Sequence, residues 1–301
     1  MSIEDSHQTA CGHQKKLTFC CSYQTRFICY TQKMAVAGPS ATSSGLQDKL
    51  TKSFIPTIKR LHFKVVQYMM EACIKLQLDS TTSASACTIY HRFFSRCQAQ
   101  DYDPYLIGAT AIYLATKVEE QFCKLRDIIN VCYRILHPNE KPLEIGKLYW
   151  DLRDSMVHCE LFLIRTLGFN PRASDLPHKY LVHYLKSLQS WIDRDTWNTV
   201  PLCDLAWGFL RDSYHVDLCL RTKPQHLAIA CIYFSMEVYC VQVPYNDVAK
   251  IPWWKVFCED IKLVRIEAII SELIDMYDME TKFKPSIAAS NSRTKGKLTS
   301  S

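Results

Sequence analysis

The chain has 301 residues, 48% hydrophobic and 12% aromatic, which is enough to bury a core and too much for a wholly disordered protein. Only 8 Gly and 12 Pro are available for tight turns, which disfavours an all-β sandwich or barrel. The net charge is +6, but residues 1–53 contribute +3 and residues 281–301 contribute +5, so the body between them carries −2. A duplex-binding core needs a basic surface of its own, so we expect a helical, two-domain protein without specific nucleic-acid binding.

The 15 cysteines indicate reduced, buried thiols rather than disulfides, because no secretory signal is visible and several cysteines occupy helical spacings inside apolar segments. No Cys-x-x-Cys occurs, so the usual pattern of a structural zinc site is missing, and we expect no metal and no cofactor. No apolar run approaches the length of a membrane span. We therefore expect an intracellular protein, in the nucleus, the cytoplasm or both, without a membrane partner.

The two ends of the chain lack the periodicity of folded elements. Residues 1–53 show no sustained pattern and are predicted to be disordered. Met34 begins a stretch that resembles an ordinary protein start, which suggests that residues 1–33 are an alternative N-terminal extension. Residues 281–301 are basic with no apolar face and are predicted to form a disordered tail.

Residues 54–172 show helical periodicity and form the first predicted domain. We expect five helices, at about 63–76, 81–97, 105–120, 125–135 and 146–167. The first helix places on one apolar face Phe63, Val66, Met70, Cys73 and Leu76. Asp103 and Pro104 are typical of an N-cap and a first helical residue, and Gly168 is typical of a helix C-terminus. The third helix is apolar or small on every side, which predicts a central, buried position.

The pattern recurs in residues 173–280, the second predicted domain. Pro224 stands 120 residues after Pro104 and opens another helix that is apolar on every side. Two helices are predicted before it, at about 178–191 and 200–215, and one after it, at about 262–277. The sequence therefore predicts an all-α fold of two tandem five-helix units, each with one buried helix inside a ring of four.

Two groups of charged residues stand out from this pattern. Lys117 is followed by Glu119 and Glu120 at the end of the third helix, where carboxylates oppose the helix dipole. They form either a solvated helix end, with one glutamate capping the next helix, or a functional site. Glu160 lies on the fifth helix in a mixed stripe with Val157 and Ile164, which suits a partner surface or an ordinary helix flank.

Several segments resemble the cyclin family. The run Ala-Thr-Ala-Ile-Tyr-Leu-Ala-Thr-Lys-Val-Glu-Glu at 109–120 resembles the central helix of a cyclin box. Residues 159–169 resemble its fifth helix, and His-Arg-Phe-Phe at 91–94 with residues 102–107 resembles the transcription-type cyclins. The resemblance extends from about Leu61 to Glu280 and implies two cyclin boxes, of which the first binds a kinase.

The resemblance implies a regulatory subunit that binds and activates a cyclin-dependent Ser/Thr kinase as a heterodimer and has no catalytic residue of its own. Segments 127–131, 210–215 and 252–257 resemble the subgroup whose partner is cyclin-dependent kinase ten. Lys117 and Glu160 would hydrogen-bond backbone groups of the kinase helix that carries the catalytic Glu. The implied kinase-binding set is Leu114, Lys117, Val118, Glu119, Glu120, Glu160, Ile164 and Phe169.

Two other function classes compete with this interpretation. A cyclin-fold general transcription factor would need a basic core and usually a zinc ribbon, and a scaffold would use the same fold without activating a kinase. An enzyme is disfavoured because the chain has no phosphate-binding Gly-Lys-Ser/Thr loop, no His-Glu-x-x-His and no Gly-x-Ser-x-Gly. The sequence predicts no metal or catalytic role for His183, His215 and His226.

Overall fold

The computed structural model describes residues 48–172, 175–244 and 251–283, and every regular element within these ranges is helical. The all-α prediction is therefore confirmed. The predicted alternative extension and most of both predicted disordered segments lie outside the described residues. Helices extend into both predicted disordered segments, since the first helix begins at Asp48 and the last one ends at Phe283.

The first helix begins fifteen residues earlier than predicted and the next four lie close to their predicted positions: α1 (Asp48–Lys75), α2 (Ser80–Phe94), α3 (Pro104–Val118), α4 (Leu125–Leu136) and α5 (Lys147–Thr166). Helix α3 packs against each of the other four, as predicted from its apolar sequence. Gly108 allows α1 to approach α3 closely, since a Cβ there would lie 3.1 Å from Met69 Cγ and 3.2 Å from Val65 Cγ1 of α1.

Local sequence chemistry sets the ends of α3 and α5. The Asp103 carboxylate accepts a 2.9 Å hydrogen bond from the backbone N–H of Tyr105, and Pro104 is the first helical residue. At the end of α5, Gly168 has φ +66°, and the N–H of Phe169 donates to the carbonyl of Ile164 at 2.9 Å. Both predicted boundaries are confirmed.

The second half of the chain is less regular than predicted. It contains α6 (Pro177–Leu188), α7 (Arg194–Thr199), α8 (Leu202–Asp212), a 3-10 turn (Ser213–His215), α9 (Leu218–Arg221), α10 (Pro224–Val238), α11 (Trp253–Phe257) and α12 (Leu263–Phe283). Helix α10 is central and packs against α6, α8 and α12. In the described part of this half, three long helices pack around α10. The short α11 is the fourth neighbour and contributes two Trp rings, with centroids 6.4 and 5.4 Å from that of Tyr233.

The described residues form two hydrophobic cores, and each core contains a residue from the opposite half of the chain. One is built around α3 and the other around α10. Phe63 of α1 is buried in the second core, where its ring centroid lies 4.6 Å from that of His215, while Tyr214 is buried in the first core. The prediction that Phe63 packs with the other apolar residues of α1 is therefore wrong. Its burial against the second half instead ties the two halves together.

The remaining expectations concern thiols and membranes. All cysteines that the structure describes are free, and Cys73, Cys87 and Cys159 are buried as predicted. Within the described ranges, no helix combines the length and the apolarity that crossing a bilayer requires.

Candidate functional site

Lys117 and Glu160 meet at the surface although 43 residues separate them in the sequence. Lys117 lies in the last turn of α3 and Glu160 on the neighbouring α5, and Lys117 Nζ donates to Glu160 Oε1 at 2.6 Å. The Lys117 side chain is 48% exposed and that of Glu160 13%. The fold therefore fixes a charged pair whose lysine faces solvent and whose carboxylate is mostly buried.

The surroundings keep this lysine charged. Partial burial by itself lowers the pKa of Lys117, but the hydrogen bond and the charge of Glu160 outweigh it and hold the pKa above its ordinary value. Tyr113, one turn earlier on α3, adds a cation–π contact with its ring centroid 4.2 Å from Lys117 Nζ. An ammonium has three donors and a carboxylate about four acceptor sites, so the pair retains capacity for further hydrogen bonds.

The two glutamates after Lys117 have different roles. Glu119 Oε1 accepts a 2.5 Å hydrogen bond from Ser85 Oγ, which ties the end of α3 to α2. Glu120 is exposed and has φ +56°, as the chain turns away from the helix. Neither caps α4, whose N-cap residue is Lys124 without a side-chain hydrogen bond. The capping alternative is therefore wrong.

Gln121 makes the capping contacts at this corner, and sequence reasoning missed it. Its Oε1 accepts hydrogen bonds from the N–H of Asp79 at 3.0 Å and from Thr82 Oγ1 at 2.8 Å, both at the N-terminus of α2. The contact joins residues about forty positions apart, so no local spacing pattern signals it. It fixes the turn that follows Lys117.

The apolar residues implied by the resemblance are exposed to very different degrees. Leu114 is only 3% exposed and packs in the first core, so it presents almost no surface to a partner in this fold. Val118 and Ile164 are half-buried. Phe169 is 71% exposed and is held outward by its own φ of +58° directly after Gly168.

Helix α5 adds exposed apolar residues that the resemblance did not supply. Trp150, Val157 and Leu161 are all between 45% and 48% exposed, and they share a face of α5 at helical spacing. Val157 also belongs to the mixed stripe of Glu160, and Leu161 lies one turn after Val157. We define the α3–α5 surface as Lys117, Val118, Glu120, Trp150, Val157, Glu160, Leu161, Ile164 and Phe169.

Arg92 of α2 and Arg96, two residues after the end of α2, hold the end of α5 and the loop that follows it in place. Arg92 donates to the carbonyls of Asn170 at 2.8 Å, Pro171 at 3.2 Å and Arg172 at 3.3 Å. Arg96 donates to the carbonyl of Thr166. Carbonyls at a helix C-terminus lack intrahelical donors, and Arg96 supplies one to Thr166, the last residue of α5, whereas Arg92 bonds carbonyls of the loop after the helix. Together the two arginines fix the loop that presents Phe169.

The sequence matches known proteins over most of its described part. The family model "Cyclin, N-terminal domain" matches residues 55–171. Cyclin-T1-4 of Arabidopsis thaliana is 27% identical over 70% of this chain and 38% of its own length. Cyclin-L1 of Gallus gallus is 26% identical over 77% and 44%, and cyclin pch1 of Schizosaccharomyces pombe is 31% identical over 58% and 49%. The chain thus spans less than half the length of these curated relatives.

Solved structures show a similar fold. A chain of the yeast RNA Pol II CTD kinase CTDK-1 complex has a TM-score of 0.59 at 16% identity, over 84% of this chain and 73% of that one. A chain of the CAK complex of Chaetomium thermophilum has a TM-score of 0.51 at 14% identity, over 87% and 72%. At these identities the likeness concerns the fold alone. The family match makes residues 55–171 a cyclin N-terminal domain, and with the curated relatives it supports a cyclin-family protein of the transcription branch.

Proposed function

We propose that this chain is the regulatory subunit of a cyclin-dependent Ser/Thr kinase and binds it through the α3–α5 surface. The observation that carries the proposal is the Lys117–Glu160 pair, formed at 2.6 Å with the lysine half-exposed. Solved structures of similar fold come from assemblies described as a CTD kinase complex and a CAK complex, which supports a kinase partner.

The chemistry of the pair suits the end of a partner helix. Backbone N–H and C=O groups at helix ends lack intrahelical partners, and a fixed cation beside a fixed anion offers both a donor and an acceptor to them. The apolar residues Val157, Leu161 and Phe169 supply hydrophobic area around the pair. Charged contacts of this kind set the register of an interface whose affinity comes largely from the apolar area.

Activation follows from preferential binding to one kinase conformation. The free kinase populates an inactive arrangement, and a subunit that binds the active arrangement better shifts the population toward it. In the active arrangement the kinase's own Lys–Glu ion pair and its metal-binding Asp are in place. Shifting a 1:99 population to 99:1 needs about 5.5 kcal/mol of differential binding. Phosphoryl transfer takes place on the kinase, and this chain contributes no catalytic group.

We assign cyclin-dependent kinase ten as the partner in a heterodimer. The support is the resemblance of segments 127–131, 210–215 and 252–257 to the subgroup of that kinase. These segments fall in α4, across the end of α8 into the 3-10 turn, and at α11, and none of them contains Lys117 or Glu160. The transcription-type relatives further support a nuclear role, which imaging of the endogenous protein tests.

The test is co-expression with cyclin-dependent kinase ten, followed by pull-down and a kinase assay. Lys117→Ala and Glu160→Ala are expected to lower both binding and activity. The matched control is Lys179→Ala, which removes an exposed lysine of another ion pair, with Asp175, in the second half. If the wild-type chain neither binds nor activates this kinase, a panel of other kinases follows. Failure with all of them would leave a cyclin-fold scaffold or general transcription factor.

A further inference from the structure

His226, Cys258 and Asp260 converge in the second half of the chain, and none of them belongs to the α3–α5 surface. His226 lies in the first turn of α10, Cys258 directly follows α11, and Asp260 lies in the turn before α12. Asp260 Oδ1 lies 3.1 Å from His226 Nε2 and accepts a 2.7 Å hydrogen bond from Cys258 Sγ. The three ligand-type atoms all lie within 4.8 Å of one another.

This spacing is close to that of a zinc coordination sphere. Zinc binds imidazole nitrogen, thiolate sulfur and carboxylate oxygen at about 2.0–2.3 Å, and a tetrahedron of such bonds separates its ligand atoms by about 3.3–3.8 Å. Small side-chain rotations would therefore bring the three atoms to bonding distance. The mixed N, S and O donor set favours zinc over Mg²⁺ or Ca²⁺, which prefer oxygen ligands alone.

Burial and charge also suit a divalent cation. His226 is 8% exposed, Cys258 is half-buried and Asp260 is exposed, so the cluster opens to solvent on the carboxylate side. A carboxylate and a thiolate together carry two negative charges, which would neutralise Zn²⁺.

The ammonium group of Lys223 competes with a metal ion for the Asp260 carboxylate. Its ammonium bonds Asp260 Oδ2, and its side chain is 64% exposed, so it can turn into solvent without leaving a buried charge. Burial and the neighbouring Asp260 raise the pKa of the Cys258 thiol to about 11, so the thiol is protonated before metal binds.

We propose that His226, Cys258 and Asp260 bind one zinc ion, with water in the fourth position, and that the ion joins the turn before α12 to the start of α10. Binding forms the zinc–sulfur bond as the thiol proton leaves to solvent and Lys223 releases Asp260. The sequence interpretation missed this site because Cys258 and Asp260 lie 32 and 34 residues after His226, outside the usual zinc-binding patterns.

The first test is a zinc titration of the full-length chain, stripped of metal and kept reduced, in competition with a chromogenic chelator. Cys258→Ser and His226→Gln are expected to lose one zinc equivalent, or to bind it at least about 100-fold more weakly. Cys203→Ser, which removes an exposed cysteine elsewhere in the second half, is the matched control and should retain that equivalent. Cobalt substitution adds a thiolate charge-transfer band, which Cys258→Ser should abolish and Cys203→Ser should leave unchanged.

A second variant separates a metal site from a simple hydrogen-bonded cluster. Lys223→Ala removes the competing ammonium, so zinc should bind several-fold more tightly if the site exists. Circular dichroism shows which variants are folded. Because the Lys223 side chain is exposed, we expect Lys223→Ala to fold, so its zinc affinity still tests the proposal if Cys258→Ser does not fold. The proposal is overturned if wild type and His226→Gln bind the same number of zinc ions with the same affinity, or if Lys223→Ala leaves the affinity unchanged.

Discussion

The ring of His91 on α2 contacts the backbone carbonyl of Tyr214, with 2.8 Å between His91 Nε2 and the oxygen, and this bond crosses from the first half of the chain to the second. Both residues are buried. Conversely, Phe63 of the first half is buried in the second core. The two halves thus share buried polar and apolar contacts.

This buried interface makes stability depend on pH. Burial lowers the pKa of His91 despite the Tyr214 carbonyl, and it lowers the pKa of both His62 and His178 to about 4. In the unfolded chain these groups titrate near 6.5, so as pH falls the unfolded state binds protons first. Stability is therefore complete above about pH 7 and is lost progressively as pH falls from about 6.5 toward 4.

Thermal or urea unfolding between pH 7.5 and 5 measures this effect. Each histidine contributes up to about 1.4 kcal/mol of lost unfolding free energy per pH unit below 6.5. His178→Phe should reduce the slope, since phenylalanine cannot titrate and can still pack near Trp207, whose ring centroid lies 5.2 Å from that of His178. An unfolding free energy that is constant from pH 7.5 to 5 would contradict the expectation.

Two glycines provide a matched test of helix packing. A Cβ at Gly108 would lie 3.1 Å from Met69, whereas a Cβ at Gly208 on α8 meets nothing within 4 Å. We expect Gly208→Ala to stabilise the chain by about 0.5–1 kcal/mol through helix propensity. Gly108→Ala should destabilise it by about 1 kcal/mol, because overpacking exceeds that gain. Urea unfolding of both variants measures the difference, and equal effects would show that α1 and α3 have room for the methyl group.

Arg92 should affect partner binding through the loop that it holds. Arg92→Ala removes the donors to the carbonyls of Asn170, Pro171 and Arg172, so we expect a loss of about 1–2 kcal/mol in unfolding free energy. Kinase binding should weaken as well, because Phe169 precedes this loop. Arg92→Lys keeps the charge but not the fork of donors, and should fall between wild type and Arg92→Ala. The control is Arg165→Ala, which removes an exposed arginine. A similar loss of unfolding free energy and kinase affinity in this variant would show that net charge alone is responsible.

The exposed apolar residues separate binding from stability. Leu161→Ala and Phe169→Ala remove side chains that are 48% and 71% exposed, so unfolding free energies should change by less than about 0.5 kcal/mol. Kinase affinity should nevertheless fall, by about tenfold for Phe169→Ala, which corresponds to about 1.4 kcal/mol. Val264→Ala, at a 74% exposed position on α12, should change neither quantity. If Leu161→Ala and Phe169→Ala left the kinase affinity unchanged, the kinase interface would lie elsewhere on the chain.

The parts of the fold that sequence could predict are those set by local chemistry. Asp103 with Pro104 and Gly168 mark helix ends because capping depends on neighbouring residues, and α3 is recognisably central because its apolar residues surround it. The short helices α7, α9 and α11 escaped prediction because each is too short to show a helical period.

The candidate site divides in the same way. Only the cyclin resemblance assigns Lys117 and Glu160 to one kinase-binding set, since nothing in a 43-residue separation indicates contact between them. The cap by Gln121 and the burial of Leu114 depend on how α2, α3 and α5 pack, which local patterns do not encode. Long-range packing therefore accounts for each of these differences.

A double-mutant cycle on Lys117 and Glu160 tests the central proposal most directly. Isothermal titration or surface-immobilised binding would measure the affinity of cyclin-dependent kinase ten for wild type, Lys117→Ala, Glu160→Ala and the double variant, each checked for folding. We expect each single change to cost about 2–5 kcal/mol, or roughly 30-fold or more, and the double change to cost less than their sum. If the kinase binds the wild-type chain and binds both single variants equally tightly, that result would contradict a role for this pair in kinase recognition.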